Sequence, residues 1–301
     1  SGTVTILAGA ITADIDVPVR DDNLVEGAET VIVTLGSVTS SAPGISVDDA
    51  ARTATVSIAD DDTASVSIAK VSDGAEAATP SKGKFRLTQT KTGATATVLS
   101  YTVNGTATPD AGGDYTPLGG TVTIPAGATT ADIDVSVLND NLVEDTETVI
   151  VTLAGITSSS PGISMDETAK SATVSIADDD TATISIAKID DGAEAAVPTN
   201  GKFRLTQTKA SSTDTVLNYT VNGTATPGAA SDYTPLGGTV TLPAGATAAD
   251  IDVLVLNDNL VETAETVIVT LGSIASGDPQ ISLGAANQAA IDIRHREQLC
   301  R

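Results

Sequence analysis

Between residues 63 and 180, short runs rich in Val, Ile and Thr alternate apolar with polar side chains, and Gly, Pro, Asn and Asp fill the gaps. A period of two suits a strand with one buried face, because successive side chains point to opposite sides of a sheet. Seven strands are predicted, over 64–70 (ASVSIAK), 83–90 (GKFRLTQT), 97–104 (TVLSYTVN), 120–124 (GTVTI), 130–138 (TADIDVSVL), 147–153 (ETVIVTL) and 172–177 (ATVSIA). In the fifth, Ile133, Val135 and Val137 share one face while Asp132, Asp134 and Ser136 share the other. No segment keeps a period of 3.6. Seven short antiparallel strands in this length predict an all-β fold, a β-sandwich of immunoglobulin size built without the Cys–Trp–Cys core.

The same pattern returns along the chain. GGTVTI at 119–124 recurs as GGTVTL at 237–242, and SGTVTI at 1–6 stands one period of 118 residues earlier. ADDDTASVSIAK at 59–70 returns as ADDDTATISIAK at 177–188, and DYTPLGG at 114–120 returns at 232–238. Such strict recurrence marks a tandem array, and its period is that of a small domain. Residues 1–62 hold the C-terminal half of a unit, 63–180 a complete unit, and 181–301 a unit with a divergent end. Sequence runs through DDDT from one unit into the next without a linker, which predicts closely coupled tandem sandwiches. The half unit is expected to carry an unpaired edge. With no signal peptide and no initiator Met, the sequence reads as a fragment of something longer.

Charge narrows the function. Fifteen Lys plus Arg stand against thirty-nine Asp plus Glu, a net charge of −24. Nucleic acid and anionic membrane surfaces are disfavoured as partners, since Lys and Arg carry those contacts. No apolar stretch reaches the roughly 18 residues of a transmembrane helix. Aromatic residues make up 2% of the chain, which argues against a sugar-binding cleft. One His and one Cys are too few for the expected make-up of a triad or a zinc site. His295 and Cys300 are read as an unstructured tail, and Arg294 to Arg301 as foreign to the repeat.

The acids are unevenly placed. With antiparallel strands, the loops after the first, third and fifth strands and the end of the seventh meet at one pole. Eleven of the fifteen acids of residues 63–180 fall there: Asp73, Glu76, Asp110, Asp114, Asp140, Glu144, Asp145, Glu147 and Asp178 to Asp180. Asp132 and Asp134, with Asp14, Asp16, Asp250 and Asp252 in the other units, read as a solvated outer face. Two carboxylates about 4 Å apart repel by about 1 kcal/mol in water and about 4 kcal/mol at an effective dielectric near 20. A converging set must therefore protonate, splay or hold cations. Hard oxygen ligands on loops suit Ca²⁺ better than Mg²⁺, which prefers few carboxylates and keeps its waters. EF-hand, glycine-rich calcium-roll, phosphate-loop, nucleophile-elbow and HExxH motifs are absent.

VLNDNLVEDTETVIVTL at 137–153, GGDYTP at 112–117 and ATVSIADDD at 172–180 resemble, in order and spacing, the motifs of the Calx-beta family. The resemblance covers all three units, the first only in its second half. It implies seven-stranded sandwiches that bind calcium at one end, near the domain junction. It implies as ligands Glu76, Asp114, Asp140, Glu144, Glu147, Asp178, Asp179 and Asp180 in the complete unit. Glu76 is the loosest fit, because its loop is long, and Asn139 stands where the family usually has Asp. In the first unit it implies Asp21, Asp22, Glu26, Glu29, Asp60, Asp61 and Asp62. In the last it implies Glu194, Asp232, Asp258, Glu262 and Glu265, with the Asp triplet replaced by His295-Arg296-Glu297 and calcium binding weakened. The expected function is non-enzymatic. It is a calcium-stiffened stalk in a large extracellular, adhesin-like protein, with calcium ions, neighbouring repeats and a cell-surface or matrix ligand as partners. The alternative is a calcium-sensing domain of a membrane transporter.

Overall fold

The computed structural model describes residues 2–110, 112–229, 231–258 and 260–295. Every regular element among the described residues is a strand. The first unit contains β1 (Leu24–Val25), β2 (Glu29–Thr34) and β3 (Thr53–Ile58). The second contains β4 (Ala64–Ser72), β5 (Gly74–Ala75), β6 (Gly83–Gln89), β7 (Thr92–Gly93), β8 (Thr97–Gly105), β9 (Thr121–Ile124), β10 (Thr130–Val135), β11 (Glu147–Ser158), β12 (Ile163–Met165) and β13 (Ser171–Ala177). The third contains β14 (Ala182–Asp190), β15 (Gly192–Ala193), β16 (Gly201–Gln207), β17 (Thr215–Gly223), β18 (Thr239–Leu242), β19 (Ala248–Val253), β20 (Glu265–Ser276), β21 (Ile281–Leu283) and β22 (Gln288–Arg294). No helix of the described residues is long and apolar enough to cross a membrane.

The second unit is a sandwich of a four-stranded sheet, in the order β10-β6-β4-β12, on a five-stranded sheet, β5-β13-β11-β8-β9. The third unit repeats it as β19-β16-β14-β21 on β15-β22-β20-β17-β18. The seven long strands lie where alternation predicts them. The short β5 and β12 instead pair parallel with β13 and β4 and close the sheet edges. Inward residues such as Phe85, Leu87, Leu99, Ile124, Val149, Val151 and Val174 are completely or almost completely buried. At about 25 cal/mol per Å² of apolar surface, burial of these mostly aliphatic side chains is the dominant favourable contribution.

On the outer face, Asp132 of β10 lies opposite Arg86 of β6, which donates to it through Nε and Nη2 at 2.7 and 2.9 Å. Lys84 reaches both Asp132 and Asp134. Asp250 and Asp252 have the same arrangement with Arg204 and Lys202. These acids belong to a cross-strand ion-pair ladder, where sequence suggested simple solvation.

The first unit differs from a half sandwich. Residues 2–23 form no strand, although 1–6 repeats the sequence of β9. In a complete unit β9 pairs with β8, and β10 with β6. Residues 1–62 contain no counterpart of β6 or β8, so these segments have nothing to bond. Ile6, Leu7 and Ile11 are accordingly 58, 71 and 93% exposed. The counterparts of β11 and β13 are both present, and they pair as β2 with β3.

Consecutive units meet without a linker: β13 ends at Ala177 and β14 begins at Ala182. Val143, from the acidic loop before β11, is fully buried within the core of the third unit. It forms a parallel bridge with Ser211, donating to the Ala210 carbonyl at 2.9 Å and accepting from Ser212 at 3.1 Å. One period earlier Val25 is also fully buried, and β1 pairs parallel with β7. Lysines one period apart pin the joints, Lys91 to Asp62 and Lys209 to Asp180. Val261, the third unit's counterpart of Val143, is 63% exposed.

Candidate metal centre

The acids converge at the pole where one unit joins the next. Glu76 is brought there by β5, whose Gly74 and Ala75 pair with Ile176 and Ala177. Its own N–H donates to the Ala177 carbonyl at 2.8 Å. A Cβ on Gly74 would stand 2.6 Å from a Val137 methyl and 3.1 Å from the Gly83 nitrogen, so any larger residue would push neighbouring groups aside. The loop between β4 and β6 is long because it doubles back as this extra strand, and Glu76 ends up buried.

Asp114 comes from the loop after β8. That loop leaves the sheet at Gly105, where φ is +134° and a Cβ would lie 2.0 Å from the Thr148 carbonyl oxygen. The Asp114 carboxylate accepts the Thr108 N–H, its carbonyl accepts from Leu138 at 2.8 Å, and Tyr115 bridges to Val137. Asp114 is buried as a result. The loop after β10 supplies Asp140, whose N–H donates to Glu76 Oε2 at 3.3 Å. The same loop carries Glu144, whose N–H donates to Asp178 Oδ2 at 2.9 Å. Glu147 opens β11, and its Oε2 is buried without a hydrogen-bond partner among the described residues.

Glu76, Asp114 and Glu144 each offer a carboxylate oxygen within 4.8 Å of the others. Burial is the first cause that raises the proton affinity of Glu76 and Glu144, and neighbouring acids add to it. Glu76 is pushed up to about 7, with Asp140, Asp114 and Asp178 contributing. Glu144 is raised by burial and by Asp114 and Glu147, and Glu147 by burial and Asp114. Asp178 is raised chiefly by burial.

Other predicted residues have other surroundings. Asp180 is buried and faces Lys209, while Asp179 is exposed and adds to the negative charge around that lysine. Asp73 is held low by Lys70 and accepts the Ser175 N–H, and Asp110 accepts the Gly112 N–H within its own turn. Asn139 donates to the Asp140 carbonyl.

In the first unit, Glu26 donates its N–H to Asp60 Oδ2 at 2.8 Å, and Asp22 accepts from Leu24. Glu26 is raised by burial first, then by Glu29, Asp22 and Asp60. These groups stay exposed or half exposed, because residues 1–62 contain no equivalents of Glu76 and Asp114. Asp21 and Asp61 are exposed beside Lys91, which holds Asp62.

In the third unit, Glu194 and Asp232 are buried, and Glu262 and Glu265 approach His295. Asp258 accepts the Leu260 N–H and adds its charge beside Glu194. The tail reading of His295 is corrected: its side chain has no solvent exposure. Arg294 likewise belongs to the repeat, as the last residue of β22, and its carbonyl accepts from Glu194 as Ala177 does from Glu76. The cationic sequence hid this because side-chain chemistry changed while backbone pairing did not. Arg296, Glu297 and Cys300 lie outside the described residues.

Sequence reading also missed Gln280, whose Nε2 donates across the joint to the Glu144 carbonyl and to Asp178 Oδ2, both at 3.2 Å. It missed Lys91 and Lys209, although LTQTK recurs at 87–91 and 205–209.

The second-unit cluster fits a hard cation. Its donors are all oxygens close enough together to share one ion, and one buried oxygen beside them has no partner. No Lys or Arg side chain among the described residues pairs with Glu76, Asp114, Glu144 or Glu147.

A family model for the Calx-beta domain matches residues 1–62, 72–180 and 198–297. Among solved structures, the chain is similar to CBD12 from CALX1.2, at 14% identity and TM-score 0.32, over 76% of this chain and 99% of that one. It is similar to the D0-D1 domain of intimin at 16% identity and TM-score 0.25, over 77% and 100%. The Yersinia pseudotuberculosis adhesin InvE matches at 11% identity and TM-score 0.28, over 77% and 59%. No curated protein matches the sequence.

Proposed function

Because the chain belongs to the Calx-beta family, we propose that it is a non-enzymatic tandem module that binds calcium at the joint between its repeats and is stiffened by it. The observation that carries this reading is the buried carboxylate cluster at that joint, with Glu76, Glu144 and Glu147 raised in proton affinity and none of its core acids paired with Lys or Arg. Glu76, Asp114, Asp140, Glu144, Glu147 and Asp178 are the ligand set of the second unit. Asp62 and Asp180 hold the next unit through Lys91 and Lys209. A bound Ca²⁺ supplies the positive charge that lets these carboxylates ionise together.

The site and the joint share residues. Glu144 and Asp178 accept hydrogen bonds from Gln280 of the following unit, and Val143 sits between Asp140 and Glu144 in sequence. An ion that fixes the 140–144 loop therefore fixes the plug in the neighbouring core. This suits a load-bearing stalk of a surface or secreted protein, the role we assign.

Melting the full chain in millimolar CaCl₂ and in EGTA tests the reading. An ion at 100 times its Kd that binds only the folded state adds about 2.7 kcal/mol, so the calcium curve should move clearly upward. Asp114→Ala or Glu147→Ala should shrink the shift, and Asp134→Ala on the outer face should not. Superimposable curves in the two conditions would refute calcium binding. Small-angle scattering should show a longer, stiffer particle in calcium.

A further inference from the structure

The equivalent pole of the third unit has changed its donor chemistry. Glu147 pairs opposite Ile176 and Glu265 opposite Ile293, so His295 occupies the place of Asp178. Its imidazole is wholly shielded from solvent. Nδ1 lies 3.5 Å from Glu194 Oε2 and 3.5 Å from Glu262 Oε2, and Nε2 lies 3.8 Å from Glu265 Oε2. Neither ring nitrogen has a hydrogen-bond partner among the described residues, and Glu194 Oε1 is likewise buried without one. Asp232, Glu262, Glu265 and His295 each offer a ligand atom within 4.8 Å of the others.

We propose that His295, Asp232, Glu262 and Glu265 form a binding site for a divalent transition-metal ion of the zinc class, with an ion preference different from that of the second unit. Calcium takes oxygen donors, whereas imidazole nitrogen suits zinc and its neighbours. Four ligand atoms with bonds of about 2.0–2.2 Å around a tetrahedral centre stand about 3.4 Å apart. With Nε2 as the ligating atom, Glu265 Oε2 at 3.8 Å stands close to that spacing, and one oxygen from each of Asp232 and Glu262 lies within 4.8 Å of the set. With Nε2 on the ion, Nδ1 faces Glu194 at 3.5 Å, a carboxylate outside the ligand set and the usual kind of partner that orients a ligating histidine. Three carboxylates and one imidazole also leave more negative charge than a single proton on the ring would offset. The proposal does not depend on calcium at the second unit, which is read separately.

His295 is the chain's one histidine, so its ring gives a single set of imidazole ¹⁵N signals. The full chain with Cys300→Ser, which removes the one thiol, is titrated with Zn²⁺ while those signals are followed. Equilibrium dialysis gives the stoichiometries of Zn²⁺ and of Ca²⁺. The expected result is one zinc ion that shifts a ring-nitrogen signal. His295→Asp, which restores the residue of the second unit and so preserves the fold, should weaken zinc binding at least tenfold and add one calcium ion. Glu265→Gln should weaken zinc while leaving the second-unit calcium in place. The proposal is overturned if zinc leaves the imidazole signals unmoved, if His295→Asp binds zinc equally well, or if the ring keeps both protons at saturating zinc. In the last case a histidinium simply stands in for the ion.

Discussion

Asp114 and Asp132 are aspartates of one domain, and their surroundings give them opposite tasks. Arg86 and Lys84 hold Asp132 ionised, down to about 2, on the outside of the sheet. Asp114 is buried among acids and raises the proton affinity of Glu144 and Glu147. The sign of the resulting pH dependence follows. Glu76, at about 7, retains a proton in the folded state that the unfolded chain has released above its ordinary 4.5. Glu144 and Glu147 move the same way, so the calcium-free protein should lose stability as pH rises from about 4.5 toward 8. Saturating calcium displaces those protons and should flatten the loss. At pH 7, calorimetry in two buffers of different ionisation enthalpy should show protons released on calcium binding, and equal heats in both would contradict the shifts. Parity of the strands was enough to place these acids at one pole. The split between clustered and ion-paired acids was not legible, because Lys91 and Lys209 are distant in sequence and reach their partners only across the joint.

At the scale of elements, alternation located all seven long strands of a complete unit, although β10 stops three residues before its predicted end and β11 runs five residues past it. It missed β5, β7 and β12, which are too short to show a period and exist through their neighbours. It also over-read residues 1–6, where a strand-like sequence lacks the strand it would bond. Gly105 illustrates how an element positions chemistry. Its positive φ and its approach to Thr148 turn the chain out of β8 into the loop that buries Asp114. Gly105→Ala must strain the backbone or shift the loop, at a cost of about 1–3 kcal/mol or more. The variant should melt lower even without calcium, and it should bind calcium more weakly than wild type. Unchanged calcium affinity would separate the turn from the site.

For the whole molecule, the repeats are separable in sequence but not in packing. Val143 belongs to the second unit by chain and to the third by core. An apolar residue within an acidic loop gives no sequence signal of this, since periodicity describes strands and not what a loop tip inserts into. Val143→Ala removes two methylene equivalents and leaves a cavity, worth about 2–3 kcal/mol. Amide exchange should accelerate in the third unit's core strands more than in the second unit's. Loss confined to the second unit would deny the plug. The arrangement also bears on how such arrays can be copied and spliced. The plug and the socket it fills belong to different copies, yet each recurs at the same place in the 118-residue period. Recombination in phase, at any breakpoint, therefore returns a fitting plug to a fitting socket, and the array can lengthen or shorten by whole periods. An out-of-phase exchange would leave a hole in one core and a bare valine on the neighbouring copy.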